Sequence, residues 1–305
     1  MGSVAVFLVF VFVRGYSARK PSSTVSLIGA PGALLRDATM SARVPFADAL
    51  ADAIRSDGRI TVTVHVGLAD ARLLPGAASK FLNGSNYRTN LCWGALYGVE
   101  THMANAADWR RCYTDSGDGN SIIRRVVFHR RVVPTDKWLA LGVVEPFDVY
   151  VLACAWPASR VHEAMNAPIR DAATAQPLFI DIDGLQIGFG GASAITGYLG
   201  PNAMNQGYWD PLNGLVMAAR REQIGLFYIC SMSAVYLHDT LVKRGFYPVL
   251  FAREPIVPEA YLLDGMLKAL LQGDLDNGFV ESAAAHYAKY QKGTPIARAR
   301  HILFR

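Results

Sequence analysis

Two aspartates that follow a hydrophobic stretch are the first candidates for chemistry. Asp181 and Asp183 lie two residues apart in the string FIDIDGL, and Gly184 comes directly after them. Side chains at positions i and i+2 of an extended chain point to the same side, and carboxylate oxygens are ligands that Mg²⁺ accepts. The spacing therefore permits the two carboxylates to share one Mg²⁺ ion. Mg²⁺ is expected only if this pair acts in a reaction, and no other cofactor is predicted.

A second candidate is Cys230, which we place at the junction between a strand and a helix. The N-terminus of a helix favours the thiolate form of a cysteine, but a nucleophilic cysteine also needs a base within hydrogen-bond reach. None of the seven histidines is placed at the end of a neighbouring strand: His65 lies inside a strand, and His238 lies in the helix after Cys230. A cysteine hydrolase around Cys230 and a packed, unreactive cysteine therefore both remain open.

The composition is that of a folded protein. Of 305 residues, 51% are hydrophobic and 18% are charged, which excludes an intrinsically disordered chain. No apolar run reaches the roughly 18–20 residues that a membrane-spanning helix needs. The net charge of +5 is mild, and the four cysteines lack the C-x-x-C spacing typical of zinc sites. We therefore expect no nucleic-acid partner and no metal site of the zinc type.

The N-terminus has the pattern of a secretory signal peptide. Val4 to Val13 form an unbroken apolar run, and small residues follow up to Ala18, as in an apolar core and its cleavage region. We expect a secreted or periplasmic protein that begins near Arg19 and has no membrane attachment after cleavage. The predicted organisation is a signal peptide over residues 1–18, an N-terminal extension over 19–57 and a single α/β domain over 58–305.

Strands and helices alternate along most of that domain. The first strand is clear because Val62 and Val64 alternate with Thr63 and His65. We predict that five strands share one mostly parallel sheet: 59–68, 149–155, 177–182, 224–229 and 247–252. Helices between parallel strands cover both faces of a sheet. The predicted fold is therefore α/β, a three-layer α/β/α sandwich.

Other segments have weaker patterns. We predict helices over 161–173, 212–221, 234–244, 259–271 and 279–292, and a further helix over 91–107. We also predict a polar turn region over 110–120, a strand pair over 122–133 and 138–144, and a glycine-rich loop over 185–209. The basic cluster in the strand pair is interpreted as a solvated face; its members are Arg124, Arg125, His129, Arg130 and Arg131.

Polar residues follow several of the predicted parallel strands. Asp70 comes after the first strand, Asp181 and Asp183 end the strand over 177–182, and Cys230 ends the strand over 224–229. Ligands of open parallel sheets bind outside the carboxyl ends of the strands. We therefore expect these side chains to face one crevice.

Several motifs follow the order found in one protein family. They are Leu68–Ala71, Asn83–Gly84, Thr89–Gly98, Val149–Trp156, Asp181–Ile187 and Ile229–Met232. On these motifs the chain resembles an uncharacterised family of exported bacterial proteins. The resemblance implies that the crevice is lined by a set of binding residues: Asp70, Asn83, Asn90, Trp93 and Tyr97.

The order of the motifs is also similar, more distantly, to that of caspase- and gingipain-like cysteine peptidases. Those enzymes carry His-Gly after one strand and Ala-Cys after the next, and the resemblance implies a caspase-like fold. Ile182 stands at the position that matches the histidine, whereas Cys230 remains. The resemblance thus implies a degenerate member, a pseudoenzyme that acts as a non-catalytic binding or assembly protein. Its partner would be an unknown protein or small molecule.

The string FIDIDGL resembles, in addition, the first motif of haloacid-dehalogenase-like phosphotransferases. That resemblance implies a nucleophilic role for Asp181 and an acid/base role for Asp183. The alternative to the binding protein is accordingly a hydrolase, either cysteine peptidase-like around Cys230 or a magnesium-dependent phosphohydrolase around the two aspartates.

Overall fold

A computed structural model describes residues 46–74, 79–202, 224–230 and 234–305. The predicted signal peptide, the predicted helix over 212–221 and the end of the predicted loop over 185–209 lie outside these residues. None of the helices in the described ranges is long and apolar enough to cross a membrane.

Eight of the ten described strands form one mixed sheet. The strands are β1 (Arg59–Gly67), β2 (Arg110–Asp115), β3 (Arg124–Val132), β4 (Phe147–Trp156), β5 (Pro177–Ile182), β6 (Leu185–Gly190), β7 (Ile195–Gly200), β8 (Gly225–Cys230), β9 (Tyr247–Ala252) and β10 (Leu303–Phe304). The order across the sheet is β10-β9-β8-β7-β1-β4-β3-β2, and β5 pairs only with β6. The five central strands, from β9 to β4, run parallel, whereas β2, β3 and β10 pair antiparallel with their neighbours.

Helices cover both faces of this sheet. They are α1 (46–57), α2 (Val99–Asn105), α3 (Asp136–Ala140), α4 (Val161–Thr174), α5 (Val235–Lys243), α6 (Ala260–Leu271), α7 (Gly278–Tyr290) and α8 (Ile296–Ile302). Successive side chains of β1 point to opposite faces of the sheet and so into two cores. Val62 and Val64 pack in the core that contains α6 and α7, and the other face of β1 meets α4. The predicted α/β class with a mainly parallel sheet is confirmed.

The prediction that residues 177–182 belong to this sheet is wrong. They form β5 of a separate hairpin, because Asp183 and Gly184 both have positive φ angles, 54° and 83°, and make the tight turn to β6. The place between β1 and β8 is taken by β7, which lies in the segment predicted to be a glycine-rich loop. Gly197 is needed inside this strand, since a Cβ there would lie 2.2 Å from Cδ1 of Phe227.

The predicted strand pair over 122–133 and 138–144 is also wrong in its second half. Residues 136–140 form α3, and β3 pairs instead with β4 and β2. The predicted polar turn region contains β2, an edge strand whose exposed arginines hide its strand character. Of the predicted helix over 91–107 only α2 is helical, and turns precede it.

Residues 46–57, assigned by the sequence to an N-terminal extension, belong to the same core as the domain. Phe46, Leu50 and Ile54 of α1 are buried. The Phe46 ring stacks on Tyr247 of β9 with 4.1 Å between centroids. The domain therefore begins before residue 58.

Candidate functional site

A tyrosine fills the space at the carboxyl ends of β1 and β7. The Tyr198 hydroxyl donates a 2.6 Å hydrogen bond to the carbonyl of Pro201, and the side chain is fully buried. A Cβ at Gly67 would lie 2.3 Å from this hydroxyl, and one at Gly200 would lie 2.6 Å from it. The phenol thus lies directly against the last residues of β1 and β7, where a crevice was expected.

Cys230, the last residue of β8, is fully buried beside this tyrosine-filled edge. Its Cα partner in the sheet is Gly200. Burial raises the pKa of the Cys230 thiol far above its ordinary value, because a thiolate there would lose its solvation. The neutral thiol is therefore the stable form, and the ion that a nucleophile needs is disfavoured.

Of the two histidines that were considered as partners of this thiol, His65 is engaged through both ring nitrogens and His238 through one. His65 Nε2 lies 2.8 Å from an Asp171 carboxylate oxygen, and His65 Nδ1 accepts a hydrogen bond from the Trp156 indole N–H. His238 Nδ1 lies 3.0 Å from the carboxylate of Asp239. Neither ring nitrogen of His65 is left to take a proton from a thiol.

The neighbouring strand end offers no imidazole either. Ile182, which the resemblance places at the histidine position, lies at the end of β5 in the separate hairpin. The strand that pairs with β8 on this side is β7, and Pro201 and Asn202 follow it. Neither side chain can serve as a general base.

Asp181 and Asp183 lie at the tip of the β5–β6 hairpin. The Asp181 carboxylate accepts hydrogen bonds from the backbone N–H of Gly184 at 2.9 Å and from the side-chain amide of Gln186 at 3.0 Å. The Asp183 carboxylate is mostly exposed and lies 3.7 Å from a guanidinium nitrogen of Arg110. Asp181 is thus used to stabilise the turn, and the donor set does not fit Mg²⁺. Within the described ranges, no group of three or more His, Cys, Asp or Glu side chains is arranged to hold a metal ion.

Asn90 fastens the loop that follows β1. Its fully buried amide accepts a hydrogen bond from the Ala69 N–H at 3.0 Å and donates one to the Ala69 carbonyl at 2.8 Å. The same amide nitrogen donates to the carbonyl of Asn83 at 3.0 Å. Asn90 is therefore a structural residue, with no donor or acceptor turned toward solvent.

Asp70 and Asn83 make local turns in the same region. The Asp70 carboxylate accepts hydrogen bonds from the Arg72 side chain and from the N–H groups of Arg72 and Leu73. Burial opposes ionisation of Asp70, but these hydrogen bonds prevail and hold its pKa below the ordinary value. Asn83 accepts bonds from the N–H and the hydroxyl of Ser85.

Trp93 lies behind the wall of a cavity, whereas Tyr97 packs among other tyrosines. The Trp93 ring is fully buried, and its indole N–H donates a 2.6 Å hydrogen bond to Glu100. Tyr97 packs edge-on against Tyr261 and Tyr290, with centroid distances of 6.0 and 5.3 Å. Two of the five predicted binding residues are thus bonded to residues that line an open cavity: Trp93 through Glu100, and Asn90 through the backbones of Tyr87 and Gly94.

That cavity, with a volume of about 450 Å³, lies between α2 and the edge of the sheet. We call it the arginine pocket, and its lining residues are Tyr87, Arg88, Gly94, Glu100, Thr101, Ala104, Asn105, Arg111 and Arg124. Sequence reasoning missed it, because these residues come from a loop, a short helix and two strands. The available signal was the arginine content of β3, which was assigned to a solvated face, and that of β2, which lay in the predicted polar turn region.

One carboxylate organises the guanidinium groups of the arginine pocket. Glu100 Oε1 accepts a 2.8 Å hydrogen bond from Arg124 Nη2 and a 3.5 Å bond from Arg111 Nη1. The hydrogen bond to Glu100, only partly opposed by burial, raises the pKa of Arg124. The guanidinium carbons of Arg88 and Arg124 lie 5.4 and 5.7 Å from the centre of the Tyr87 ring. Three guanidinium groups and one carboxylate give the pocket an excess of positive charge.

The rest of the basic cluster on β3 is neutralised by carboxylates. Arg125 lies 3.5 Å from Asp115, His129 2.8 Å and Arg131 2.6 Å from Asp148, and Arg130 3.1 Å from Asp108. Its positive charge is therefore balanced locally, in contrast to that of the arginine pocket.

Comparisons of the chain with protein-family models, with curated proteins and with solved structures found no match.

Proposed function

We propose that this protein is a non-catalytic binding protein whose ligand enters the arginine pocket rather than a crevice at the strand ends. The observation that carries the proposal is the complete burial of Cys230 beside Tyr198, which leaves the candidate nucleophile without access to a substrate. The arginine pocket, by contrast, is open and carries positive charge that the described residues only partly neutralise.

The burial of Cys230 argues against the peptidase alternative. General acid–base assistance contributes about 10²–10⁴-fold to such reactions, and Ile182, Pro201 and Asn202 offer no imidazole. A substrate carbonyl would also have to reach a sulfur that is 0% exposed. The phosphohydrolase alternative loses its support in the same way, because Asp181 is held in hydrogen bonds of its own turn.

The proposal retains the finer expectations from the sequence. It places the chain as a degenerate member of the exported bacterial family, on a caspase-like scaffold, and as a secreted or periplasmic protein. Its support is a parallel sheet in which Cys230 ends a strand and the apolar run of Val4 to Val13. N-terminal sequencing of protein from the native host is expected to begin near Arg19, whereas an intact Met1 would contradict export.

The test of the non-catalytic function is a cleavage assay with a mixed peptide library. We expect no cleavage that differs between the unmodified protein and Cys230→Ala, with circular dichroism as the check that both are folded. Robust cleavage that disappears in Cys230→Ala would overturn the proposal.

A further inference from the structure

We infer that the arginine pocket binds a small, hydroxyl-rich phosphate monoester, an inference that rests on the proposed binding function and names its ligand class. The geometry brings several cationic side chains to one point of a polar cavity, and a compact dianion matches that arrangement best.

The first support is the convergence of the guanidinium groups. Arg111 and Arg124 both lie within 3.5 Å of the same Glu100 oxygen. Arg88 and Arg124 both lie against the ring of Tyr87. The positive charge is thus gathered around Glu100 and Tyr87 rather than spread along the cavity. A phosphate monoester carries about 1.5 to 2 negative charges on one compact group near neutral pH, whereas a dicarboxylate separates its charges.

The second support is the number of N–H donors that stay unused. A guanidinium has five N–H donors, and Glu100 alone cannot engage those of three arginines. Among the described residues, the Arg88 guanidinium contacts Tyr87 but forms no ion pair. Such forked donors match the oxygens of a phosphate.

The role of Glu100 is to position these donors. Its other oxygen accepts the Trp93 indole hydrogen bond, which fixes the carboxylate against a fully buried ring. The carboxylate then holds Arg124 and Arg111 with their remaining N–H groups available. The single negative charge of Glu100 leaves about two of the three positive charges in the pocket unbalanced. A phosphate monoester carries about two negative charges and would balance them.

The size and lining of the pocket indicate what the phosphate is attached to. About 450 Å³ lies within the roughly 300–1,000 Å³ range of small-molecule sites and exceeds the space that a phosphate fills. Thr101 and Asn105 line the remaining wall, and the Thr101 hydroxyl already donates to the carbonyl of Gly94. It can therefore accept a hydrogen bond from a ligand hydroxyl, which suits a polyhydroxylated rather than an apolar ligand.

The experiment is isothermal titration calorimetry of the full-length protein at one low ionic strength. The probes are glucose 6-phosphate, glucose, inorganic phosphate and glutarate. We expect saturable binding of glucose 6-phosphate, weaker binding of inorganic phosphate, and none of glucose or glutarate. Arg88→Gln is expected to weaken glucose 6-phosphate binding about tenfold or more, since hydrogen bonds to charged groups are lost. Arg130→Gln, which removes an arginine paired with Asp108 outside the pocket, is the matched control and is expected to leave binding unchanged.

The outcomes separate the ligand class from the binding function. Binding of glutarate that equals that of glucose 6-phosphate and falls in Arg88→Gln would overturn the ligand class while supporting the pocket as a binding site. Equal losses in Arg88→Gln and Arg130→Gln would show non-specific attraction and overturn the site. The absence of any saturable binding would overturn both the ligand class and the pocket.

Discussion

Buried polar side chains at the strand ends hold the backbone in place and do not face a ligand. Asn90 is the clearest case, since its amide serves both backbone groups of Ala69 and the carbonyl of Asn83. Its type and position in the Asn-Leu-x-Trp-Gly block suggested a binding residue. The sequence could not distinguish the two roles, because an asparagine that binds a ligand and one that binds the backbone are the same residue type. Only the position of the amide in the fold separates them.

Removal of the Asn90 amide is expected to be strongly destabilising. Asn90→Ala leaves the buried N–H and carbonyl of Ala69 unpaired, and each unsatisfied group costs about 1–3 kcal/mol. We expect the free energy of unfolding in urea to fall by about 2–4 kcal/mol. Asn83→Ala, which loses only local bonds of an exposed residue, is expected to change it by less than about 0.5 kcal/mol. Equal effects of the two substitutions would contradict the structural role of Asn90.

Glu259 gives the stability a pH dependence of its own. Burial raises the pKa of Glu259 from 4.5 to about 7, with smaller opposing contributions from Tyr261 and His102. Between these values the folded state holds a proton that the unfolded state has released, so the contribution of this group falls as the pH rises from about 4.5 to about 7. Glu259→Gln is therefore expected to stabilise the protein at pH 8, by about 3 kcal/mol, and not at pH 4. Urea unfolding at the two pH values measures this, and an equal effect at both would contradict it.

At the scale of elements, two glycine-containing segments decide the topology. Asp183-Gly184 is a dipeptide typical of a two-residue hairpin turn, and this signal in the sequence would have separated β5 from the main sheet. In β7 a glycine hides a strand instead of marking a turn. Gly197 is required because its backbone packs closely against Phe227, but a glycine weakens the alternating pattern by which a strand is recognised in the sequence. Strands such as β1 were predicted correctly because their β-branched residues alternate without a glycine to interrupt the pattern.

Gly197 provides the test of this packing. A methyl group at this position would lie 2.2 Å from the buried ring of Phe227, so Gly197→Ala is expected to destabilise the protein by about 1–3 kcal/mol. Phe227→Leu in the same chain makes room for the methyl group. The double variant should therefore lose less stability than the sum of the two single variants, as measured by urea unfolding. Strict additivity would show that the two side chains do not meet.

At the scale of the whole molecule, the site lies where segments distant in the sequence come together. The arginine pocket draws Tyr87 and Arg88 from a loop, Glu100 from α2, Arg111 from β2 and Arg124 from β3. The alternation of apolar and polar residues predicted most strands of the central parallel sheet, because that alternation lies within each short segment of the sequence. It could not predict the pocket, because surface arginines in an edge strand look alike whether or not they converge.

The central claim is that binding occurs at the arginine pocket while the ends of β1 and β7, which Tyr198 fills, stay closed. Chemical-shift mapping by NMR, with the ¹⁵N-labelled protein and glucose 6-phosphate, tests both parts in one titration. The account predicts that the amide signals of Arg88, Thr101 and Arg111 shift on binding and that those of Gly67, Gly200 and Cys230 do not. Shifts confined to Gly67, Gly200 and Cys230 would contradict the account, because they would place the ligand at the edge that Tyr198 fills.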